Sequence, residues 1–333
     1  MWVFIFHATH GLQLPIIEFG YVGVDVFFLL SGFVLAHVCR DGIAWREYPA
    51  FLQARAARIF PLHLAVLAAV ALVVLSWPDF TAAYPLASER FGLSAFVATA
   101  LLIQNWAIWP PGSWNAPAWS LSAEWFGYLV LPVFLMISRR IAQPWAAVAL
   151  CYTALAVLLG ILTLKGVTSL GITGMPGMVR MACEMAGGCC LYRAFACGVR
   201  LTSFAGAAGV ILFGAGMLHP DGSFLVLLAI PIVILGAADG STFASRVLTT
   251  RPARLLGEIS FSIYLTHWLV LQMSNRVLPL GATPDWAILP YLALLSAIVL
   301  AISMVTYRWI ELPSRRWGRA RPRRVTHLVA VTG

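Results

Sequence analysis

The sequence predicts an all-α fold, a polytopic bundle of transmembrane helices, and three observations carry that expectation. First, the 333 residues are 61% hydrophobic with a mean hydropathy of +0.86, against the roughly 45–50% apolar content of soluble domains. Second, only 11% of residues are charged, and several stretches of about 18–20 residues run without a buried cation, the length a helix needs to cross a bilayer. Third, the cations fall in short clusters between apolar runs, the pattern of cytoplasmic loops in membrane proteins. The net charge of +9 comes from 21 arginines and a single lysine, Lys165. Its clustering assigns that charge to membrane topology and argues against nucleic acid as a partner. No segment is polar enough for a soluble domain, so one membrane domain is expected over residues 1–312. A basic tail, 313–333, follows and suits an anionic cytoplasmic leaflet.

Apolar runs lie near 1–9, 21–38, 60–77, 92–108, 119–137, 145–164, 178–197, 203–218, 223–238, 256–273 and 286–307. The first is too short, because ten helical residues cover about 15 Å, half of a hydrocarbon core of about 30 Å. It reads as a truncated span, and a natural start upstream of Met1 is expected. No charged segment precedes it, so a cleavable signal peptide is not expected. Placing the arginine clusters on one side requires that one run between residues 60 and 118 does not cross. The run at 92–108 fits best as re-entrant or interfacial, being followed by Trp109-Pro110-Pro111-Gly112-Ser113. About ten spans then remain, with both termini cytoplasmic and the acidic connections at Asp79–Glu89, Asp221 and Asp285 external. Trp45 to Phe60 alternates arginines with aromatic and aliphatic residues and reads as an interfacial amphipathic helix. Pro61 then marks the first turn of the next span, where proline is tolerated. The six cysteines show no Cys-x-x-Cys and no metal-ligand spacing, so they are expected to be small packing residues.

Polar groups inside apolar runs carry the chemistry. A buried acid costs about 2.5–3.5 kcal/mol on insertion scales, and such residues are functional by default. Glu124, in Trp119-Ser120-Leu121-Ser122-Ala123-Glu124, is the most conspicuous. His7, Asp25, Glu184, Glu258 and His267 also interrupt apolar runs. His7 has the chemistry of a general base near neutral pH, and His10 is a weaker candidate for the same task. Arg55 and Arg58 stand at i and i+3 on one helix face, a pair suited to a diphosphate or, more plainly, to anchoring the helix at the cytoplasmic face. Asp25 opens its span, where the helix dipole also favours an acid; Gly23 and Gly32 on that span would admit a close helix neighbour. Ser260, Tyr264 and His267 share a face of a later span, and His267 could equally be a satisfied core histidine.

Together these pieces resemble the integral-membrane acyltransferase-3 family, which includes bacterial O-antigen and exopolysaccharide O-acetylases. Five blocks follow the family's order over almost the whole chain: the aliphatic run ending at His7, Gly23-Val24-Asp25-Val26-Phe27-Phe28-Leu29-Leu30-Ser31-Gly32-Phe33, Arg55-Ala56-Ala57-Arg58-Ile59-Phe60-Pro61, Trp119 to Glu124, and Leu256-Gly257-Glu258 through His267. Tyr307-Arg308-Trp309-Ile310-Glu311-Leu312-Pro313 looks like the family's closing element. The resemblance implies a membrane enzyme of the bacterial cytoplasmic membrane that moves an acyl group, acetyl above all, from cytoplasmic acyl-CoA to a hydroxyl of a glycan or glycosylated molecule. His7, Glu124 and Asp25 form the expected catalytic set. Arg55, Arg58, Ser120, Trp119 and His267 form the expected donor-binding set, with acyl-CoA as substrate rather than a resident cofactor. The family's arginine about ten residues before the histidine has no counterpart after Met1. The competing reading is a transporter or flippase of a glycolipid, in which buried acids and histidines would relay protons.

Overall fold

The computed structural model describes residues 1–9, 15–81, 84, 86–106, 114–167, 169–219, 222–240 and 242–319. Every regular element among them is a helix. His10, the breaker-rich 109–113, Asp221 and the tail from residue 320 lie outside the described residues. The main helices are α1 (Trp2–Ala8), α2 (Gly23–Val38), α3 (Tyr48–Ser76), α4 (Leu93–Ala100), α5 (Ala118–Arg139), α6 (Pro144–Leu164) and α7 (Met175–Ala196). They continue with α8 (Ser203–Met217), α9 (Ser223–Ala238), α10 (Arg251–Glu258), α11 (Ser260–Val277), α12 (Asp285–Thr306) and α13 (Leu312–Arg319).

Five stretches among the described residues are long and apolar enough to cross a bilayer: Ile16–Val38, Trp45–Ser76, Ala118–Arg139, Pro144–Leu164 and Asp285–Gly318. That is fewer than the ten expected from sequence, and the shortfall has physical causes. α7 and α11 have the length, but each carries buried polar groups, Arg180 and Glu184 on one and Ser262, Thr266 and His267 on the other. α8 and α9 are apolar but only 15 and 16 residues long. α4 has eight residues and reaches about 12 Å, in keeping with a run that does not cross. Leu102, at φ 57°, turns the chain after it.

Two boundaries move. The interfacial helix and the span after Pro61 are one continuous helix, α3, with Pro61 inside it. Proline removes one rung of the ladder, yet such helices persist where their neighbours hold them. The expected tail begins inside the folded part: α13 lies along α3, with Gly318 fitted against Ala57. Between α12 and α13 the chain makes a single wide π turn over Tyr307–Glu311.

The central seam joins α2 to α7. A side chain at Gly32 would collide with the Met185 carbonyl, and one at Gly188 with the carbonyl of Leu29, so the two backbones touch. This is the small-residue contact that lets membrane helices gain packing without a hydrophobic driving force. Along the same seam Arg180 Nε–H donates to Asp25 Oδ1 at 2.6 Å, and its Nη2 donates to Oδ2 at 2.5 Å. Both residues are at most 1% exposed, and Glu184 stands 3.7 Å from the Arg180 Nε. α6 packs behind α7 and α9 beside α8. All six cysteines are unpaired thiols, four of them buried, as packing residues are. At one end of the bundle, Tyr84 donates its hydroxyl to Gln272 Oε1 at 2.6 Å. Burial holds that phenol above its usual pKa, so it remains a donor and ties its loop to α11.

Removing one member of a buried ion pair costs about 3–5 kcal/mol, because the other charge is left without compensation. Asp25→Ala is therefore expected to lower the unfolding temperature in detergent sharply. The double variant Asp25→Ala/Arg180→Met should regain most of the loss. Equal destabilisation in single and double variants would show that the pair is not the source.

Candidate active site

Two adjoining chambers lie within the bundle. The larger, about 560 Å³, is walled by α2, α3, α5, α10, α11 and α13, with Arg55, Arg58, Arg254 and Arg315 among its lining. Arg254, Gly257 and Glu258 in this wall are exposed, so here the cavity meets the surface. The smaller, about 210 Å³, is mostly apolar and reaches His267 past Val24, Ile59, Leu121 and Phe261. Phe27, Arg58, Glu124 and Ser260 line both chambers, and we call this shared stretch of wall the neck.

Helical spacing sets Arg55 and Arg58 on the same face of α3, and both line the larger chamber. Arg55 is 8% exposed. Its guanidinium lies 5.7 Å from the Phe51 ring centroid, and its Nε has no hydrogen-bond partner. A buried cation with an unused donor is an anion site in waiting, since unmade hydrogen bonds on buried polar groups are expensive. Glu124 at the neck is anchored: Tyr128, one turn later on α5, donates its hydroxyl to Oε1 at 2.6 Å, and Ser31 Oγ donates to the same oxygen at 3.3 Å. Both arginines stand close enough to Glu124 to act on its charge.

The inner chamber reaches His267, which is paired with His7. Nδ1 of His7 lies 3.1 Å from Nε2 of His267, and the rings stack at 5.2 Å with 19° between planes. His267 Nδ1 lies 3.1 Å from the Ile263 carbonyl oxygen. A carbonyl can only accept, so that Nδ1 carries the proton, and in the neutral ring Nε2 is the acceptor. His7 then donates its Nδ1–H to His267, which leaves the lone pair of His7 on Nε2. Fixing one nitrogen by a hydrogen bond is how proteins choose which nitrogen acts. Phe6 and Trp268 hold the His7 ring edge-on or tilted at 5.1 and 5.6 Å. Beside the pair, Tyr264 donates to the Pro117 carbonyl at 2.9 Å, and Ser120 Oγ lies 2.6 Å from the phenol oxygen.

The structure thus brings His267, Ser120, Glu124, Arg55 and Arg58 to one pair of chambers, with His7 hydrogen-bonded to His267 rather than lining them. It places two expected site residues elsewhere. Asp25 is locked to Arg180 on the α2–α7 seam, where it serves packing. Trp119 lies over the Arg180 guanidinium at 5.7 Å and edge-on to Phe28, on the seam side of α5. Tyr128 and Arg180 were not singled out from the sequence. Tyr128 was within reach of helical spacing from Glu124. Arg180 had the signal of Glu124 itself, a charge inside an apolar run.

The hydrogen-bond chain makes a spectroscopic prediction. In ¹⁵N-histidine NMR at pH values where the rings are neutral, His7 should appear as the Nδ1–H tautomer. Replacing His267 by alanine should shift it toward the Nε2–H form that free imidazoles favour. An unchanged tautomer in His267→Ala would rule out the assigned donor.

Comparison with known proteins places the chain in a family. Residues 1–308 match a family model described as an acyltransferase domain. The acyltransferase MdmB of Streptomyces mycarofaciens is 30% identical over 93% of this chain and 84% of its own length. The exopolysaccharide production protein ExoZ of Rhizobium meliloti is 29% identical over 95% of this chain and 96% of its own. The peptidoglycan O-acetyltransferase OatA of Listeria monocytogenes is 23% identical over 90% of this chain but only 52% of its own length. No solved structure matches. The choice between transporter and enzyme is thereby decided, and the chain belongs to the acyltransferase-3 family: it is a multi-pass membrane acyltransferase that transfers groups other than amino-acyl groups.

Proposed function

We propose that this acyltransferase takes an acyl group, acetyl above all, from acyl-CoA and passes it to a hydroxyl of a glycan or glycosylated molecule. The observation that carries this reading is that an arginine-walled chamber and a chamber reaching His267, the hydrogen-bond partner of His7, share the wall of Phe27, Arg58, Glu124 and Ser260. Arg55 and Arg58 are suited to the CoA diphosphate, because guanidinium matches phosphate oxygens bidentately. The pantetheine arm then passes the neck at Phe27 and Glu124, and the thioester reaches the apolar inner chamber. Peptidoglycan and exopolysaccharide in the relatives' names support a glycan acceptor. The bacterial cytoplasmic membrane, with the arginine-lined mouth and both termini on the cytoplasmic side, fits a donor made in the cytoplasm.

In this chemistry Nε2 of His7 removes the proton from the acceptor hydroxyl. The oxygen attacks the thioester carbonyl carbon, the C–O bond forms and the C–S bond breaks. The proton on His7 passes to the departing sulfur, giving the ester and free CoA. His267 holds the His7 ring and stabilises its charged form by accepting Nδ1–H. Glu124, bound by Tyr128 and Ser31, sits where the arm passes and orients it rather than taking a proton.

The central test uses purified protein and radiolabelled acetyl-CoA with envelope glycan. His7→Ala should lower transfer by about 100- to 10,000-fold, the usual worth of a positioned base, while the protein stays folded in detergent. Retained activity would move the base elsewhere. Arg55→Ala and Arg58→Ala should each weaken acetyl-CoA binding by about 10- to 150-fold, the value of a charge-assisted hydrogen bond, with a smaller effect on acetyl-pantetheine. Equal effects on both donors would contradict phosphate binding.

A further inference from the structure

Arg254 and Arg315 read from sequence as positive-inside charges, one in the basic cluster at 246–254 and one in the tail. The structure puts both in the wall of the larger chamber with Arg55 and Arg58. The four guanidinium groups come from three helices far apart in sequence, α3, α10 and α13, and face two carboxylates in that wall, Glu124 and Glu258. Arg315 is aimed by the wide turn. It pairs with Glu311, which is fully buried and accepts a hydrogen bond from Ser262 Oγ at 2.6 Å. Arg254 is exposed on α10, whereas Arg55 is 8% exposed with an unpartnered Nε and Arg58 reaches the neck. The exposed Arg254 therefore marks the rim, while Arg58 lines the wall shared with the inner chamber.

We infer that Arg254, with Arg315 beside it, is the rim site for a second phosphate of the donor, a phosphomonoester set further from the thioester than the diphosphate. This rests on the proposed use of acyl-CoA, whose 3′-phosphate lies at the end opposite its thioester. When the thioester is at His7 and the diphosphate at Arg55 and Arg58, the 3′-phosphate falls at the outer rim. A dianionic monoester there is met by the exposed Arg254 guanidinium, which has the bidentate geometry for it. Glu258 shares the rim, with Tyr307 hydroxyl donating to its Oε2 at 3.5 Å, so the rim favours an anion at the arginines rather than anywhere along the mouth. The same chemistry would recognise the phosphate of an anionic lipid headgroup.

The experiment measures binding of CoA and of 3′-dephospho-CoA to the purified full chain in detergent. The native protein should prefer CoA by about 10-fold or more, the lower bound for a charge-assisted contact. Arg254→Ala should erase that preference by weakening CoA while changing dephospho-CoA less than about 3-fold, and Arg254→Lys should keep part of it. Arg251, on the same helix but outside the chamber wall, should give an alanine variant with the full preference. Dephospho-CoA binding doubles as the folding control. No preference in the native protein, or equal loss for both ligands in Arg254→Ala, overturns the inference, while dependence of both affinities on Arg55 and Arg58 would leave the donor reading standing. Failure of both ligands to bind removes both readings. Displacement of CoA by dihexanoyl phosphatidic acid as strongly as by free CoA would assign the rim to lipid and overturn it as well.

Discussion

Hydrocarbon offers no partner to a charge, so the bond between Asp25 and Arg180 has to be closed by the protein itself. Its closure fixes which face of α2 looks where. Asp25, Leu29 and Gly32 are spaced along one side of that helix, and all three meet α7, through the ion pair and through two backbone contacts. The opposite side, Phe27, Ser31, Val34 and Val38, is then turned to the larger chamber. A helix with too little amphipathic contrast to choose its own rotation is oriented by one pair of charges and two glycines. The wall of the cavity follows from that choice.

Two other buried acids, Glu124 and Glu311, obey the same constraint with different partners. Glu124 is held by the hydroxyls of Tyr128 and Ser31, joining α5 to α2. Glu311 is held by Ser262 and Arg315, joining the wide turn to α11 and α13. Each acid sits where helices from distant parts of the chain meet. Its hydrogen bonds satisfy the charge and hold the helices around the chambers in place, so structural and functional duties fall on the same groups. Isolated buried carboxylates would cost several kcal/mol; connected ones set the geometry of the site.

Much of this was legible in the sequence. The all-helical membrane fold follows from apolar runs and scarce charge, and the family follows from ordered blocks whose residues do come together around one cavity. Arg55 and Arg58 needed only helical spacing to be placed on one face. The partnership of His7 with His267 was not legible, because it spans 260 positions and depends on how α1 docks against α11. The ion pair of Asp25 was hidden for the same reason: its partner lies 155 residues away in a segment read only as apolar. Pro61 misled in the other direction. A helix-start rule suited to water met a helix supported by its neighbours, and the helix simply continued. The five spans marked by length and hydropathy leave out α7 and α11, whose polar groups face the inside of the bundle, where average hydropathy cannot tell a lining residue from an exposed one.

The hydrogen-bonded chain behind His7 ends on the carbonyl of Ile263, a group that can hold a hydrogen bond but cannot carry a proton onward. Under the proposed chemistry, a proton taken up by His7 is not passed on through Ile263 and leaves with the departing sulfur. A cycle of that kind is closed in protons and carries no net charge through the bilayer. In energetic terms, the proposed reaction would run on the thioester alone and draw nothing from the ion gradient across the membrane.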